Sequence, residues 1–296
     1  MAPRSLTIPV AALTGLALLA GCGSGSGAED HRLSVVASTN VYGDIARTVG
    51  GEHVAVTSIL SNPDQDPHSF EASPRTALAI SKADLLIENG GGYDDYMDTL
   101  RKNSDNKAPV INVVALSGKD AAALNEHLWY DVPTVQKLAG EIASQLGEAD
   151  GQHTADYQAR ATALVGELDG LIRREKAVRS KAAGEGIGIT EPVPLYLTEA
   201  CGLVNKTPGD FSEAIEEGDD VAAPVLEETL DLYRHKQVAA LIYNEQTSGP
   251  ITEEVKAAAE EAGVPVVPVT ETLPSGKGYV SWMSDNIDAV GAAVAR

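Results

Sequence analysis

Histidine is scarce in this chain of 296 residues, and two of its six copies sit in loops whose composition suits a metal ion. His68 lies in Asn62-Pro63-Asp64-Gln65-Asp66-Pro67-His68-Ser69-Phe70-Glu71, a polar stretch that follows an apolar run, with Pro67 restricting the backbone just before the ring. His127 occupies Asn125-Glu126-His127-Leu128-Trp129-Tyr130-Asp131, where aromatic neighbours can shield the imidazole from water. Taken singly, each reads more readily as an ordinary loop histidine than as a ligand. His31 falls in a polar tether, His53 and His235 lie beside helix ends or turns, and His153 opens a long helical pattern, so these four are expected to be solvated.

The elements that must position these rings alternate strictly. Apolar runs at 33–37, 54–60, 84–88 and 110–114 read as buried strands, and helical patterns at 41–49, 73–81, 94–102 and 133–146 separate them. Such alternation implies a parallel sheet covered on both faces. From 153 to 182, Tyr157, Ala161, Leu164, Leu168, Leu171 and Val178 recur at steps of three, four and seven, which predicts one helix roughly 45 Å long. Strands at 186–190, 238–243 and 264–269 then resume, with helices at 195–200, 224–235, 251–262 and 279–295. The expected fold is α/β with two lobes, each a parallel sheet flanked by helices: residues 33–151, a linker helix over 152–183, and 184–296. In open sheets of this kind, ligands gather beyond the carboxyl ends of the strands.

The first residues resemble an export signal, with Arg4 followed by an apolar run over 6–20 that is too short to span a membrane. Leu19-Ala20-Gly21-Cys22 resembles a bacterial lipoprotein box, which makes 1–21 a signal peptide and Cys22 the lipid attachment point. The Gly/Ser-rich segment within 22–32 is a flexible tether. With Cys22 acylated, Cys201 has no partner, and a metal would have to be held by nitrogen and oxygen.

Lys and Arg number 22 against 43 Asp and Glu; removal of 1–21, which holds one arginine and no acid, brings the formal charge to −22. That excess disfavours nucleic acid and raises the local concentration of cations, although it also serves simply to keep a secreted protein soluble.

Asp66-Pro67-His68-Ser69-Phe70-Glu71 and then Ala83-Asp84-Leu85-Leu86-Ile87-Glu88-Asn89-Gly90 resemble the first-ligand segment of the zinc- and manganese-binding lipoproteins of ABC importers. The His127 segment is similar to that family's second motif, with Glu126 in place of its usual proline. Thr190-Glu191-Pro192-Val193-Pro194-Leu195-Tyr196 is similar to the third, and Val269-Thr270-Glu271-Thr272-Leu273-Pro274 to the fourth, where an aspartate is commoner. The resemblance covers nearly all of the chain from Leu33 onward. It implies a site between the lobes built from His68, His127, Glu191 and Glu271, in which imidazoles give affinity and carboxylates cancel the ion's charge. It also implies Zn²⁺ or Mn²⁺ as transported ligand, zinc ahead of manganese, and an ABC importer permease as partner of a monomer held on the extracytoplasmic face of the cell membrane. Glu191 has a simpler reading as a helix cap and Glu271 as a loop acid, while Asp131 is a candidate to orient His127 from behind.

Two other functions are weighed against this. A metal-dependent hydrolase would need a base and an open coordination position, but no His-Glu-x-x-His pair or Gly-x-Ser-x-Gly elbow occurs, and Gly90-Gly91-Gly92 lacks the lysine of a phosphate loop. A siderophore or corrinoid receptor of the related long-helix class would need a wide aromatic cleft, and the chain has two Phe and two Trp. Binding of a bare ion, not an enzymatic activity, is therefore expected.

Overall fold

The computed structural model describes Met1 and residues 32–62, 70, 72–120 and 124–295. His68 and Cys22 lie outside the described residues. In the first lobe, β1 (Leu33–Thr39), β2 (Val54–Leu60), β3 (Leu85–Glu88) and β4 (Val110–Asn112) form one parallel sheet in the order β2-β1-β3-β4. In the second, β5 (Gly186–Ile189), β6 (Val204–Asn205), β7 (Leu241–Asn244) and β8 (Val266–Val269) repeat that pattern as β6-β5-β7-β8. The order reverses beside β1 and β5, so the crevice for a ligand opens beyond their carboxyl ends.

Helices cover both sheets: α1 (Asn40–Gly50), α2 (Pro74–Ser81), α3 (Tyr96–Ser104), α4 (Val113–Ser117) and α5 (Val132–Ala149) in the first lobe. After α6 (Thr154–Ala182) come α7 (Leu195–Ala200), α8 (Gly209–Glu216), α9 (Ala223–Arg234), α10 (Pro250–Glu261) and α11 (Tyr279–Val294). Their starts follow local chemistry. Thr39 caps α1, Ser73 and Thr76 form a reciprocal box before Pro74, and Asp131 accepts the Thr134 N–H at the head of α5.

The long helix is buried along one stripe, since Tyr157, Ala161, Leu164, Leu168 and Leu171 all face the core. They belong to one continuous apolar cluster with Val135, Leu138 and Ile142 of α5 and with Ile187 and Ile189 of the second sheet. On the α11 side the helices approach closely: a Cβ at Gly291 would stand 2.9 Å from a Val178 methyl. Thus α6 ties the lobes through packing along its length, not as a bare rod.

Three sequence expectations change. The strand expected over 110–114 ends at Asn112, whose side chain accepts the Ala115 N–H and starts α4 instead. β6 and α8 arise in a region where no element was expected. His53, expected to be solvated, has a side chain only 16 % exposed and stacks on His153 with ring centroids 3.8 Å apart.

Leu168 is fully buried where α6 meets the shared core. Leu168→Ala is expected to lower stability by about 2–5 kcal/mol, read as an earlier urea midpoint with unchanged slope. A midpoint within error of the unaltered protein would mean that the helix does not hold the lobes together.

Candidate metal centre

In the first lobe β3 runs into Asn89 and three glycines, all at positive φ: Gly90 at 78°, Gly91 at 72° and Gly92 at 102°. A Cβ at Gly90 would also meet Asn112 Nδ2 at 2.4 Å. This turn lets the backbone N–H groups of Asn89 and Gly90 donate to Asp94 at 2.6 and 2.8 Å. It aims Asn89 Nδ2 at the Glu126 carbonyl, 3.0 Å away, and so fixes the loop that carries His127.

Asn125 completes the placement. Its Oδ1 accepts the His127 backbone N–H at 3.0 Å and faces ring Nδ1 at 2.7 Å. With Nδ1 engaged there, Nε2 is the nitrogen turned toward the acids. Trp129 and Tyr93 stand edge-on to the imidazole, with centroids at 5.2 and 6.2 Å, and His127 is 0 % exposed. Asp131 does not take the orienting role expected of it. Its carboxylate accepts from Thr134 N and Oγ1 at 3.1 and 2.5 Å and pairs with Lys119 at 3.3 Å, because it caps α5.

The second lobe supplies acids from strand ends. Glu191 follows β5 and Glu271 follows β8, and both are buried, 1 % and 0 % exposed. Between them Asn244, at the end of β7, donates its Nδ2 to Glu191 Oε2 and to Glu271 Oε1, the latter at 3.0 Å. Gln246 Oε1 accepts the backbone N–H groups of Glu271 and Thr272 at 2.5 and 3.1 Å. Across the lobes, Tyr93 donates its hydroxyl to Glu271 Oε2 at 3.3 Å.

His127 Nε2 lies 3.7 Å from Glu271 Oε2 and 3.6 Å from Glu216 Oε1. Two donors each about 2.1 Å from zinc at the tetrahedral angle stand roughly 3.4 Å apart, so either acid can share an ion with the imidazole after a small adjustment. Among the described residues, donor atoms of Glu126, His127 and Glu216 all fall within 4.8 Å of one another. The expected trio is looser: His127 and Glu271 meet directly, whereas Glu191 joins them through Asn244.

Sequence reading missed Glu216 because it missed the helix that ends on it. The signal was present in Pro208-Gly209, Phe211 and Ile215 at helical spacing, and Gly218 as a stop.

The charges are unbalanced. Among the described residues neither Glu191 nor Glu216 has a lysine or arginine partner, and Glu191 Oε1 and Glu216 Oε1 are buried without hydrogen bonds. Burial pushes Glu191 up to about 7 against the pull of Asn244, and pushes Glu216 up to about 7 against the pull of His127. For His127, burial works downward but is outweighed by Glu271, Glu216 and Glu126, and the ring titrates above its ordinary value. Such a cluster holds either protons or a cation. Cys201, which caps the C-terminal end of α7, is buried, its thiol pushed up to about 12 by desolvation.

Several known proteins are similar to this chain in sequence or in fold. The manganese-binding lipoprotein MntA of Halalkalibacterium halodurans is 28 % identical over 220 residues, covering 67 % of this chain and 72 % of the relative. The manganese ABC transporter substrate-binding lipoprotein scaA of Streptococcus gordonii is 23 % identical over 314 residues, covering 99 % of each. The periplasmic zinc-binding protein TroA from Treponema pallidum superposes with a TM-score of 0.71 at 20 % identity, over 88 % of this chain and 99 % of that one, and shares the two-lobe fold. The family model described as zinc-uptake complex component A, periplasmic, matches residues 35–293, nearly the whole two-lobe body, and the chain therefore belongs to this ZnuA family of metal-uptake proteins.

Proposed function

We propose that the chain is a lipid-anchored, extracytoplasmic receptor that captures a divalent transition metal and presents it, as a monomer, to the permease of an ABC importer. The observation that supports this most strongly is the fully buried imidazole of His127, with Nε2 3.7 Å from Glu271 and 3.6 Å from Glu216 in a cluster short of positive charge. His127, Glu191 and Glu271 supply one nitrogen and two carboxylates, and His68, outside the described residues, is the fourth ligand of the reading. Two imidazoles with two carboxylates accept zinc as a tetrahedral ion and manganese with added oxygen donors.

The relatives fit this role, since MntA and scaA are named as manganese-binding or manganese-transporter lipoproteins. Anchoring rests on Cys22 and on the lipoprotein names of those relatives, and among the described residues no helix is long and apolar enough to cross a membrane. Binding here transforms no substrate and leaves the ion's oxidation state unchanged. The ion replaces protons on groups already gathered by the fold.

His127→Ala is expected to weaken zinc and manganese binding by at least about 100-fold in competition calorimetry, beyond the usual loss on deleting an outer-shell partner. An unchanged affinity would remove His127 from the site. Because the ion must displace protons from Glu191, near 7, and from His127, affinity is expected to rise with pH through about 7 and fall below it. Each displaced proton adds about a tenfold loss per pH unit, so the slope below pH 7 exceeds one decade per unit. A flat affinity from pH 7.5 to 5.5 would contradict ligation by these groups.

A further inference from the structure

The cavity above His127 contains a second set of donors that the four-ligand reading does not use. It encloses about 850 Å³, opens to solvent, and is lined by Glu126, Glu213, Glu216 and Glu217 together with Asn125 and Ser212, with no lysine or arginine on its wall among the described residues. Glu216 ends α8, and Glu213 and Glu217 lie within one residue or one turn of that same end. Helix carbonyls leave a partial negative charge at a C-terminus, where a stabilising sequence would place Lys or Arg. Here three glutamates stand at or near that end instead, two of them exposed, and none brings positive charge to it.

Glu216 connects that cavity to the interior. Its side chain is 13 % exposed, so it touches both, and its buried Oε1 has no hydrogen bond among the described residues while standing 3.6 Å from His127 Nε2. The same nitrogen faces Glu271 at 3.7 Å on the fully buried side. The imidazole thus lies between an outer pair of acids, Glu126 and Glu216, and an inner pair, Glu271 and Glu191.

Resting on the metal-capture reading above, we propose that Glu126, His127 and Glu216 form an outer station for the divalent cation, from which it passes to the inner set by exchanging Glu216 for Glu271 while His127 Nε2 stays bound. The outer trio is the compact one, with donor atoms within 4.8 Å, and two of its members, Glu126 and Glu216, line the cavity that opens to solvent, while His127 is buried behind them. Hydrated dications lose water stepwise, and a carboxylate that replaces one water before the ion is buried lowers the barrier in both directions. Glu216 therefore governs how fast the ion arrives and leaves more than how tightly it is finally held.

The test is stopped-flow kinetics on the full chain with ZnCl₂ and MnCl₂, comparing the unaltered protein with Glu216→Gln and Glu271→Gln. Glu216→Gln is expected to slow association and chelator-driven release together, each by about tenfold, so that the dissociation constant moves less than either rate. Glu271→Gln is expected to raise the dissociation constant by about 100-fold, chiefly through faster release. The outer station is overturned if Glu216→Gln leaves both rates within about twofold, or if it only accelerates release, as loss of a permanent ligand would. Failure of the underlying reading looks different: the unaltered protein would bind neither ion, and both proposals would fall together.

Discussion

Everything at the centre of this molecule follows from the burial of negative charge beside one imidazole. Glu191 and Glu271 are almost wholly removed from water, Glu216 nearly so, and His127 is the base they share. Carboxylates in such surroundings stay ionised only with a counter-charge. Glu191 and Glu216 hold protons in the fold up to about 7 but give them up near 4.5 once unfolded, and His127 is likewise raised. The sign is the same for all three: the folded state binds more protons, so these groups cost the metal-free protein stability as pH rises through this window. A bound dication would remove that cost, which links capture of the ion to the stability of the fold.

The architecture brings His127 and Glu271 together from the two lobes, with Glu191 joined to them through Asn244. Parallel sheets of matching order put strand ends at the crevice, and each acid of the second lobe stands just past one: Glu191 after β5 and Glu271 after β8. Neutral amides do the positioning. Asn89 holds the His127 loop, Asn125 sets the ring, and Asn244 spaces the two glutamates without adding charge. Further bonds hold the lobes in contact: Tyr196 donates to the Asn125 carbonyl at 2.8 Å, Tyr130 to that of Thr270 at 2.7 Å, and Asn40 to that of Leu273 at 3.0 Å.

Much of this is legible in the amino-acid order. Period-two and period-3.6 patterns mark most strands and helices, and the burial of Leu164, Leu168 and Leu171 matches the stripe that marks the long helix. Glu191 and Glu271 are buried just past recognisable strands, and His127 is buried four residues before the cap of α5. What escapes is set by distant contacts. Asp131 looks like a partner for His127 from its spacing, yet the free N–H groups at the start of α5 claim it. Asn125, two residues before the histidine, takes the ring nitrogen instead. Glu216 escapes because α8 is short and its neighbour β6 has two residues, too little periodicity to stand out.

The most direct measurement is anomalous X-ray diffraction from crystals of the full chain grown with zinc, collected at the zinc edge. One strong peak within about 2.3 Å of His127 Nε2, with Glu271 on the same ion, is the expected result. A peak that avoids His127, or an ion held by sulfur at Cys201, would contradict the placement of the site.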